Sequence, residues 1–278
     1  MRIEGSTPKY NYAYETQGRT FEIRVNYYEY YKYYHSEILK DVSYEPVFLF
    51  GTTDNGQDLF TCLAAGARFS FIFAIAVSVV NMVVGAIYGA IEGYYGGKAD
   101  IIMERIVEIL SAVPTMIVIT LMRYHWGKNL SNILILFICF FATGWIGMSG
   151  TVRMQFYRFK NQEYVLASRT LGARDPRIMF KHIFPNSLGT IVTSSVLVIP
   201  GMIFSETSLS YLGIINFRSS GLITVGALLD EGHLAGIQDF PHLTLFPALI
   251  VAALMISFNL FGNGLRDAFN TTLRGSED

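Results

Sequence analysis

The residues best suited to chemistry in this sequence lie between Glu163 and Asn186, in a polar and strongly basic stretch between long apolar runs. The small residues Ala167 and Gly172 allow another backbone or side chain to approach closely, and arginines cover the rest of the first helix. This is the chemistry of docking rather than of bond breaking. The stretch is therefore a site at which a soluble protein could bind and exert force on the chain.

The sequence carries no pattern for catalysis or metal binding. Cys62 and Cys139 are far apart, and the five histidines are scattered without metal-ligand spacing. The glycine-rich segment 93–98 departs from a phosphate-binding loop, because Glu92 and Ala99 stand at the wrong positions. We expect a non-catalytic chain that holds no cofactor and no metal.

Composition indicates a helical membrane protein. Hydrophobic residues make up 51% of the chain and charged residues 15%, well below the soluble average of about 25%. Backbone amides in lipid must be satisfied within each segment, so the predicted class is an all-α polytopic bundle. Buried helices of a large soluble domain are the alternative, which five such runs in one chain disfavour. The predicted spans are about 69–91, 101–122, 129–152, 187–213 and 240–265.

The second predicted span begins with charged residues, which are Glu104, Arg105 and Glu108. We expect this start to lie at the membrane interface or to face the bundle. Three prolines within predicted spans are expected to kink them: Pro114, Pro200 and Pro247.

The distribution of lysine and arginine predicts the orientation. If the N-terminal region lies outside, eleven of these residues near the spans fall inside and three outside. Seven of the eleven lie in the loop 153–186. This loop and the tail 269–278 are therefore predicted to be cytoplasmic.

The N-terminal segment 1–66 is predicted to be extracytoplasmic, yet it carries no apolar run able to act as a signal or a first span. Either a preceding span is absent or the start is unusual. Alternation of Phe21, Ile23 and Val25 predicts a strand, and the tyrosines of 27–34 could form an aromatic surface. The segment is either a small domain that touches a partner or substrate, or a flap packed on the membrane face.

Local signals divide the basic stretch into two short helices. Asn161 is the predicted cap of a helix that begins near Gln162, and Gly172 stands where a left-handed stop would fall. Spacings of three and four place three residues on one face of this helix: Tyr164, Ala167 and Leu171.

The second short helix follows at once. Asp175 is its predicted cap, Pro176 its first residue, and Pro185 with Asn186 its end. The result is two helices joined at a glycine elbow. The alternative is a plain interfacial helix that only sets orientation, which would not require an elbow.

These residues resemble the EAA loop of ABC importer permeases, in which Glu-Ala-Ala is followed by Gly and then by Ile-x-x-His-Ile-x-Pro-Asn. Matching positions are Glu163, Ala167, Ser168, Gly172, Ile178, His182, Ile183, Pro185 and Asn186. Segments 51–60, 66–68, 93–100, 208–213 and 258–267 match the same family in the same order. The resemblance runs from about residue 50 to the C-terminus and points to the second, C-type permease subunit of a dipeptide or oligopeptide importer.

The resemblance implies a type I (MetI-like) importer transmembrane domain over 67–268, in a bacterial cell membrane. It implies a pathway for peptides across the lipid bilayer formed with a second permease subunit, two partner ATPases that bind ATP and Mg²⁺, and an extracellular or periplasmic binding protein. No nucleic acid is implied. The implied ATPase-coupling residues are Glu163, Tyr164, Ala167, Ser168, Gly172, Ala173, His182, Pro185 and Asn186.

Some positions depart from the family pattern. Thr53 stands where an acid is usual, Gln57 where arginine is usual and Asn263 where aspartate is usual, so charge pairs at these positions are not carried over. The family has six spans against five predicted here. We expect either a truncated gene model or a degenerate subunit.

Two polar residues are candidates for the substrate pathway, Glu206 and Asn81. An ionisable residue at membrane depth is a pathway candidate, although Glu206 could equally reach water near a helix end. Asn81, with Ser70, Ser78 and Gly85, could equally pack helices. The alternatives for function are a secondary transporter, which needs repeats or charge relays that the sequence does not display, and an inactive scaffold subunit. The sequence does not name the cargo.

Overall fold

The computed structural model describes residues 11–16, 19–24, 27–43, 45–54, 56–127, 129–215, 217 and 222–269. Most of these residues are helical, as predicted. The helices are α1 Tyr27–Tyr33, α2 Leu59–Tyr95, α3 Gly97–Ser111, α4 Thr115–Trp126, α5 Asn132–Phe159, α6 Glu163–Thr170, α7 Asp175–Arg177, α8 Phe184–Tyr211, α9 Val225–Ala235 and α10 Pro241–Phe269. Wider π-helical turns cover Tyr34–Ile38 and Ile178–Ile183.

Each of the five predicted spans overlaps a helix or helix pair of sufficient length and hydropathy, although the spans 129–152, 187–213 and 240–265 extend one to three residues beyond the helices. Four qualify singly: α2, α5, the continuous stretch Asp175–Tyr211, and α10. The helices α3 and α4 qualify together as a fifth membrane span, with an angle of 69° between them. Pro114 precedes α4 in an extended conformation, so the predicted kink becomes a break. Pro200 and Pro247 lie inside continuous helices.

The first of these helices begins earlier than the hydropathy pattern predicts. Asp58 caps α2 by accepting hydrogen bonds from the backbone N–H groups of Phe60 and Thr61. The helix then runs for 37 residues, about 55 Å at 1.5 Å per residue. This length exceeds the hydrocarbon thickness of a bilayer, so one end of α2 extends beyond it.

α2 packs most extensively against α5, and glycines bring the two backbones into contact. A Cβ atom added to Gly89 would lie 2.1 Å from the carbonyl oxygen of Ser149. A Cβ atom at Gly93, one turn further, would lie 2.7 Å from the carbonyl oxygen of Arg153. Only glycine permits this separation. The two helices therefore form a closely packed pair, called the α2–α5 pair below.

The apolar core is divided along the bundle. One cluster joins α2, α4, α5 and α8 around Phe73, Leu136 and Phe140. A second cluster joins α2, α5, α6 and α8 around Val152, Val165 and further buried residues. We call the end of the bundle that holds the second cluster the elbow end, because Gly172 lies there.

The N-terminal segment contains a β-hairpin and a tyrosine-rich helix. Strands β1 Asn11–Thr16 and β2 Arg19–Arg24 are antiparallel. The predicted strand is confirmed at Phe21 and Ile23, while Val25 lies outside the described residues. The side chains of Tyr30, Tyr31, Tyr33 and Tyr34 are exposed, which matches the predicted aromatic surface. Whether it binds a partner or covers the membrane face stays a prediction.

Candidate functional site

The first arm of the elbow is α6, and it begins one residue later than predicted. Gln162, not Asn161, occupies the N-cap position, and its side chain makes no capping bond. The prediction for Asn161 was wrong because α5 continues to Phe159, so that Asn161 still belongs to the turn that follows. Only Val165 of α6 is buried. It anchors the helix in the second core cluster.

Gly172 ends this arm in the left-handed conformation that the sequence predicts, with φ of +81°. Its N–H donates to the carbonyl of Arg169 at 3.0 Å, and the N–H of Ala173 donates to the carbonyl of Ser168 at 3.1 Å. These two bonds form the Schellman motif of helix termination. The elbow is therefore fixed by backbone bonds as well as by glycine.

The second arm differs from the prediction at both ends. Arg174 occupies the N-cap position, so Asp175 is the first helical residue and Pro176 the second. Pro185 does not end the helix. It lies in the first turn of α8, directly after the π-helical turn, in which Phe184 N–H bonds to the carbonyl of Met179. The wider register lets the helix continue through a residue that has no N–H group.

The predicted docking face of α6 is open. Tyr164 and Ala167 are exposed, and the side chain of Leu171 is 88% exposed. Ser168, half-buried, donates from Oγ to the carbonyl of Tyr164 at 2.8 Å. Glu163 is exposed in the first turn, where its charge favours the helix dipole. A partner that docks here would meet a small central residue between a tyrosine and a leucine.

Of the remaining predicted residues, Asn186 connects α8 to the first arm. Asn186 donates from Nδ2 to the carbonyl of His182 at 2.7 Å and to the hydroxyl of Tyr164 at 3.3 Å. Partial burial raises the pKa of Tyr164, while the hydrogen bond from Asn186 acts in the opposite direction. Ala173 packs against the second core cluster. The structure thus brings Tyr164 of the first arm and Asn186 of α8 together.

Sequence analysis did not identify Tyr94, at the end of α2, as part of this site. Its hydroxyl donates to Asp175 Oδ1 at 2.6 Å and accepts from Arg169 Nη2 at 3.1 Å. The guanidinium carbon of Arg169 lies 5.7 Å from the centre of the tyrosine ring. Tyr94 stands within the segment 93–100 that carries the family resemblance, which is the one signal that could have found it.

Arg153 organises a second polar group at the elbow end. Its Nε lies 2.7 Å from Asp100 Oδ1 and 3.5 Å from Glu92 Oε1, and its Nη1 lies 2.9 Å from Glu104 Oε2. The hydroxyl of Tyr157 donates to Asp100. Glu104 therefore faces the bundle, as one of the two predicted possibilities requires. These contacts join α2, α3 and α5 at their common end.

Lys160 ties the same end of α2 to the chain that leaves α5. Its Nζ donates to the carbonyl oxygen of Gly93 at 2.8 Å and lies 4.1 Å from the centre of the Tyr157 ring. Burial lowers the pKa of Lys160, while the nearby Asp100 acts in the opposite direction. The orientation count in the sequence treats Lys160 and Arg153 only as positive charges. The structure gives each of them a specific contact.

The two pathway candidates lie between helices of this chain. Glu206 is 1% exposed and accepts from Ser70 Oγ at 2.8 Å. It does not reach the surface of the chain. Asn81 is buried and donates to the carbonyl of Phe140 at 3.3 Å, next to Gly144. These contacts match the helix-packing alternative for Asn81. The pathway role of both residues stays a prediction.

A cavity of about 310 Å³ lies close to these residues, between α4, α5 and α8. Its polar lining consists of Thr115, Thr143, Ser205 and Ser208, and its apolar lining includes Phe140 and Met202. The lining is neutral. A substrate held here would therefore be recognised through hydroxyl groups and apolar contact.

Comparison with known proteins decides the family. Residues 82–275, which include the whole elbow, match the family model described as "Binding-protein-dependent transport system inner membrane component". The chain belongs to this family. As such an inner membrane component it is an integral membrane protein of the bacterial inner membrane, in agreement with its apolar helices.

Curated relatives of this inner membrane component are permease proteins. It is 42% identical over 225 residues to the oligopeptide transport system permease protein OppC of Bacillus subtilis, covering 81% of this chain and 72% of the relative. It is 36% identical to the dipeptide transport system permease protein DppC of the same organism, covering 81% and 69%. Identity to OppC of Haemophilus influenzae is 38%, covering 81% and 71%.

The fold agrees with that of a solved ABC transporter. A chain of the inward-facing MetNI methionine ABC transporter superposes with a TM-score of 0.60 at 15% identity. The match covers 76% of this chain and 98% of that chain. At this identity the likeness concerns architecture alone. The predicted all-α, type I importer fold of this inner membrane component is confirmed.

Proposed function

We propose that this chain is the C-type permease subunit of an ATP-driven importer for dipeptides or oligopeptides. The observation that carries the proposal is the exposed face of α6, which ends at the Gly172 elbow and is anchored in the bundle by Val165. The relatives named above are peptide transport permeases, which supports the substrate class. Family membership favours this function over an ion-driven secondary transporter.

The proposed assembly contains a second permease subunit, two ATP-binding subunits and a substrate-binding protein. The elbow end faces the cytoplasm with the C-terminal tail, and the segment 1–66 lies outside. The domain 67–268 crosses the membrane, and the coupling loop 153–186 is part of this domain. Charge distribution supports this orientation, because seven of the loop residues are lysine or arginine.

In the proposed mechanism an ATPase subunit holds α6 and moves it when the ATPase dimer closes. The face of Tyr164, Ala167 and Leu171 is the contact, and Ala167 permits close approach. Beyond the elbow, the helical stretch Asp175–Tyr211 is continuous over 37 residues, so a displacement at one end is carried along the whole length. ATP and Mg²⁺ belong to the partner subunits. Glu206 and Asn81 are the candidate pathway residues of this chain.

The test is reconstitution of the full chain with its partner permease, ATPases and binding protein in proteoliposomes. We expect ATP hydrolysis that oligoalanine stimulates, together with uptake of radiolabelled oligoalanine. Uptake driven by an ion gradient without the ATPases would instead support a secondary transporter. Assembly with neither activity would support an inactive scaffold.

A single substitution tests the α6 contact. Ala167→Asp adds a charge at the centre of the proposed face, and we expect the ATPase subunits to be lost from the purified complex with loss of uptake. Ala167→Ser is the matched control, because it keeps a small side chain, and it should retain both. Retention of the ATPases and of uptake in Ala167→Asp, at wild-type membrane levels, would exclude α6 as the docking helix.

A further inference from the structure

The last turn of α2 contacts three different parts of the elbow end through three consecutive residues. Glu92 faces Arg153 of α5. Gly93 accepts from Lys160 through its carbonyl oxygen. Tyr94 points to the elbow itself. The end of α2 is therefore bound to α5 and to the elbow at the same level of the bundle.

Tyr94 bridges the two arms of the elbow. Arg169, which donates to its hydroxyl, lies before Gly172, and Asp175, which accepts from it, lies after Gly172. The hydroxyl thus links the arm before Gly172 to the arm after it. Tyr94 is only 7% exposed, whereas Arg169 and Asp175 are exposed, so the bridge is partly buried.

Covalent connection alone would carry motion of the elbow only into α5 and α8, which flank it in sequence. α2 is distant in sequence from the elbow and contacts it through Tyr94. Because the backbones of α2 and α5 are in contact at Gly89 and Gly93, α2 cannot slide past α5 without a clash. A force that reaches the end of α2 therefore acts on the whole α2–α5 pair.

We propose that Tyr94 is a positioning residue that holds the angle of the elbow and carries its displacement into the α2–α5 pair. The proposal rests on the proposed coupling function of α6 and adds a third, non-covalent route from the elbow into the bundle. Closure of the ATPases then moves α2 together with α8. Without the bridge, the two arms lose this link to α2, and less of the elbow's displacement reaches the α2–α5 pair.

The test is Tyr94→Phe in the reconstituted importer, which removes the hydroxyl and keeps the ring. We expect the ATPases to remain bound and to hydrolyse ATP, while oligoalanine transported per ATP falls about tenfold, the effect of losing a hydrogen bond to a charged group. Tyr95→Phe is the matched control, because Tyr95 is the exposed neighbour, and its transport per ATP should equal that of wild type. An unchanged ratio in Tyr94→Phe overturns the proposal.

A double-mutant cycle separates the bridge from a general structural effect. Asp175 is exposed, so Asp175→Ala should fold, and we expect it to lower transport per ATP as Tyr94→Phe does. The combined variant should be no worse than Tyr94→Phe alone, because Asp175→Ala removes one of the two bonds that Tyr94→Phe removes. Additive losses would overturn the bridge. If Ala167→Asp releases the ATPases while Tyr94→Phe stays coupled, this inference fails and the proposed function stands.

Discussion

At the scale of single residues, Gly172 determines whether the two arms can meet at the elbow. Its φ of +81° is a conformation that side chains with a Cβ atom rarely adopt, and no atom lies within 4 Å of a Cβ placed there. A substitution would therefore cause backbone strain without a clash. A substitution at Gly172 therefore changes the backbone conformation of the elbow without changing how its side chains pack.

Substitution Gly172→Val should uncouple the importer. A β-branched residue in the left-handed region costs about 1–2 kcal/mol or more, and the chain can relieve this by opening the elbow. Gly172→Asn is the control, since asparagine tolerates this region. We expect Gly172→Val to insert at normal levels and lose uptake per ATP, while Gly172→Asn keeps it. Equal uptake in both variants would mean that the elbow angle is not required.

At the scale of elements, the glycine contacts make α2 and α5 one mechanical unit. A Cβ atom at Gly89 would lie 2.1 Å from the Ser149 carbonyl oxygen, whereas one at Gly150 of α5 meets no atom within 4 Å. A glycine-to-alanine substitution at Gly89 therefore reports on helix packing, and the same substitution at Gly150 reports on helix propensity.

Thermal unfolding in detergent provides the comparison. Gly89→Ala should lower the melting temperature, because overpacking costs about 1–3 kcal/mol. Gly150→Ala should leave it unchanged or raise it, because alanine favours the helix by about 1 kcal/mol over glycine. Identical melting temperatures would contradict the close α2–α5 pair.

The elements differ in how far the sequence could predict them. The stop at Gly172 is a local signal and was found. The caps at Asn161 and Asp175 were each wrong by one position, because helix starts depend on where the preceding turn ends. Pro185 was expected to end a helix, and the π-helical turn before it removed that need. Local rules thus found the elbow and missed details that depend on backbone register.

Contacts between distant segments lay beyond such rules. Tyr94 and Asp175 are 81 positions apart, and Arg153 and Asp100 are 53 apart. No periodicity or capping signal relates them, since their proximity results from tertiary packing, which places α2 beside α7 and α3 beside α5. The sequence therefore predicted the docking face of the candidate site, but not the contacts that hold it to the bundle.

Across the whole molecule, the elbow end and the interior of the bundle differ in chemistry. The elbow end holds the polar groups around Arg153 and Tyr94. The cavity between α4, α5 and α8 has a neutral lining. In the proposed mechanism force enters at the elbow end and substrate contact lies deeper in the bundle, which requires stiff helices between them. The α2–α5 pair and the continuous stretch Asp175–Tyr211 provide that stiffness.

Site-directed cross-linking tests the proposed docking of α6 on an ATPase subunit. Both native cysteines are buried, so a thiol introduced by Ala167→Cys would be the accessible one among the described residues. A short bifunctional reagent should join it to an ATPase subunit. Tyr124→Cys, at an exposed position at the far end of the bundle, should give no such product. Absence of the Ala167→Cys product in an assembled, ATP-hydrolysing complex would contradict the account.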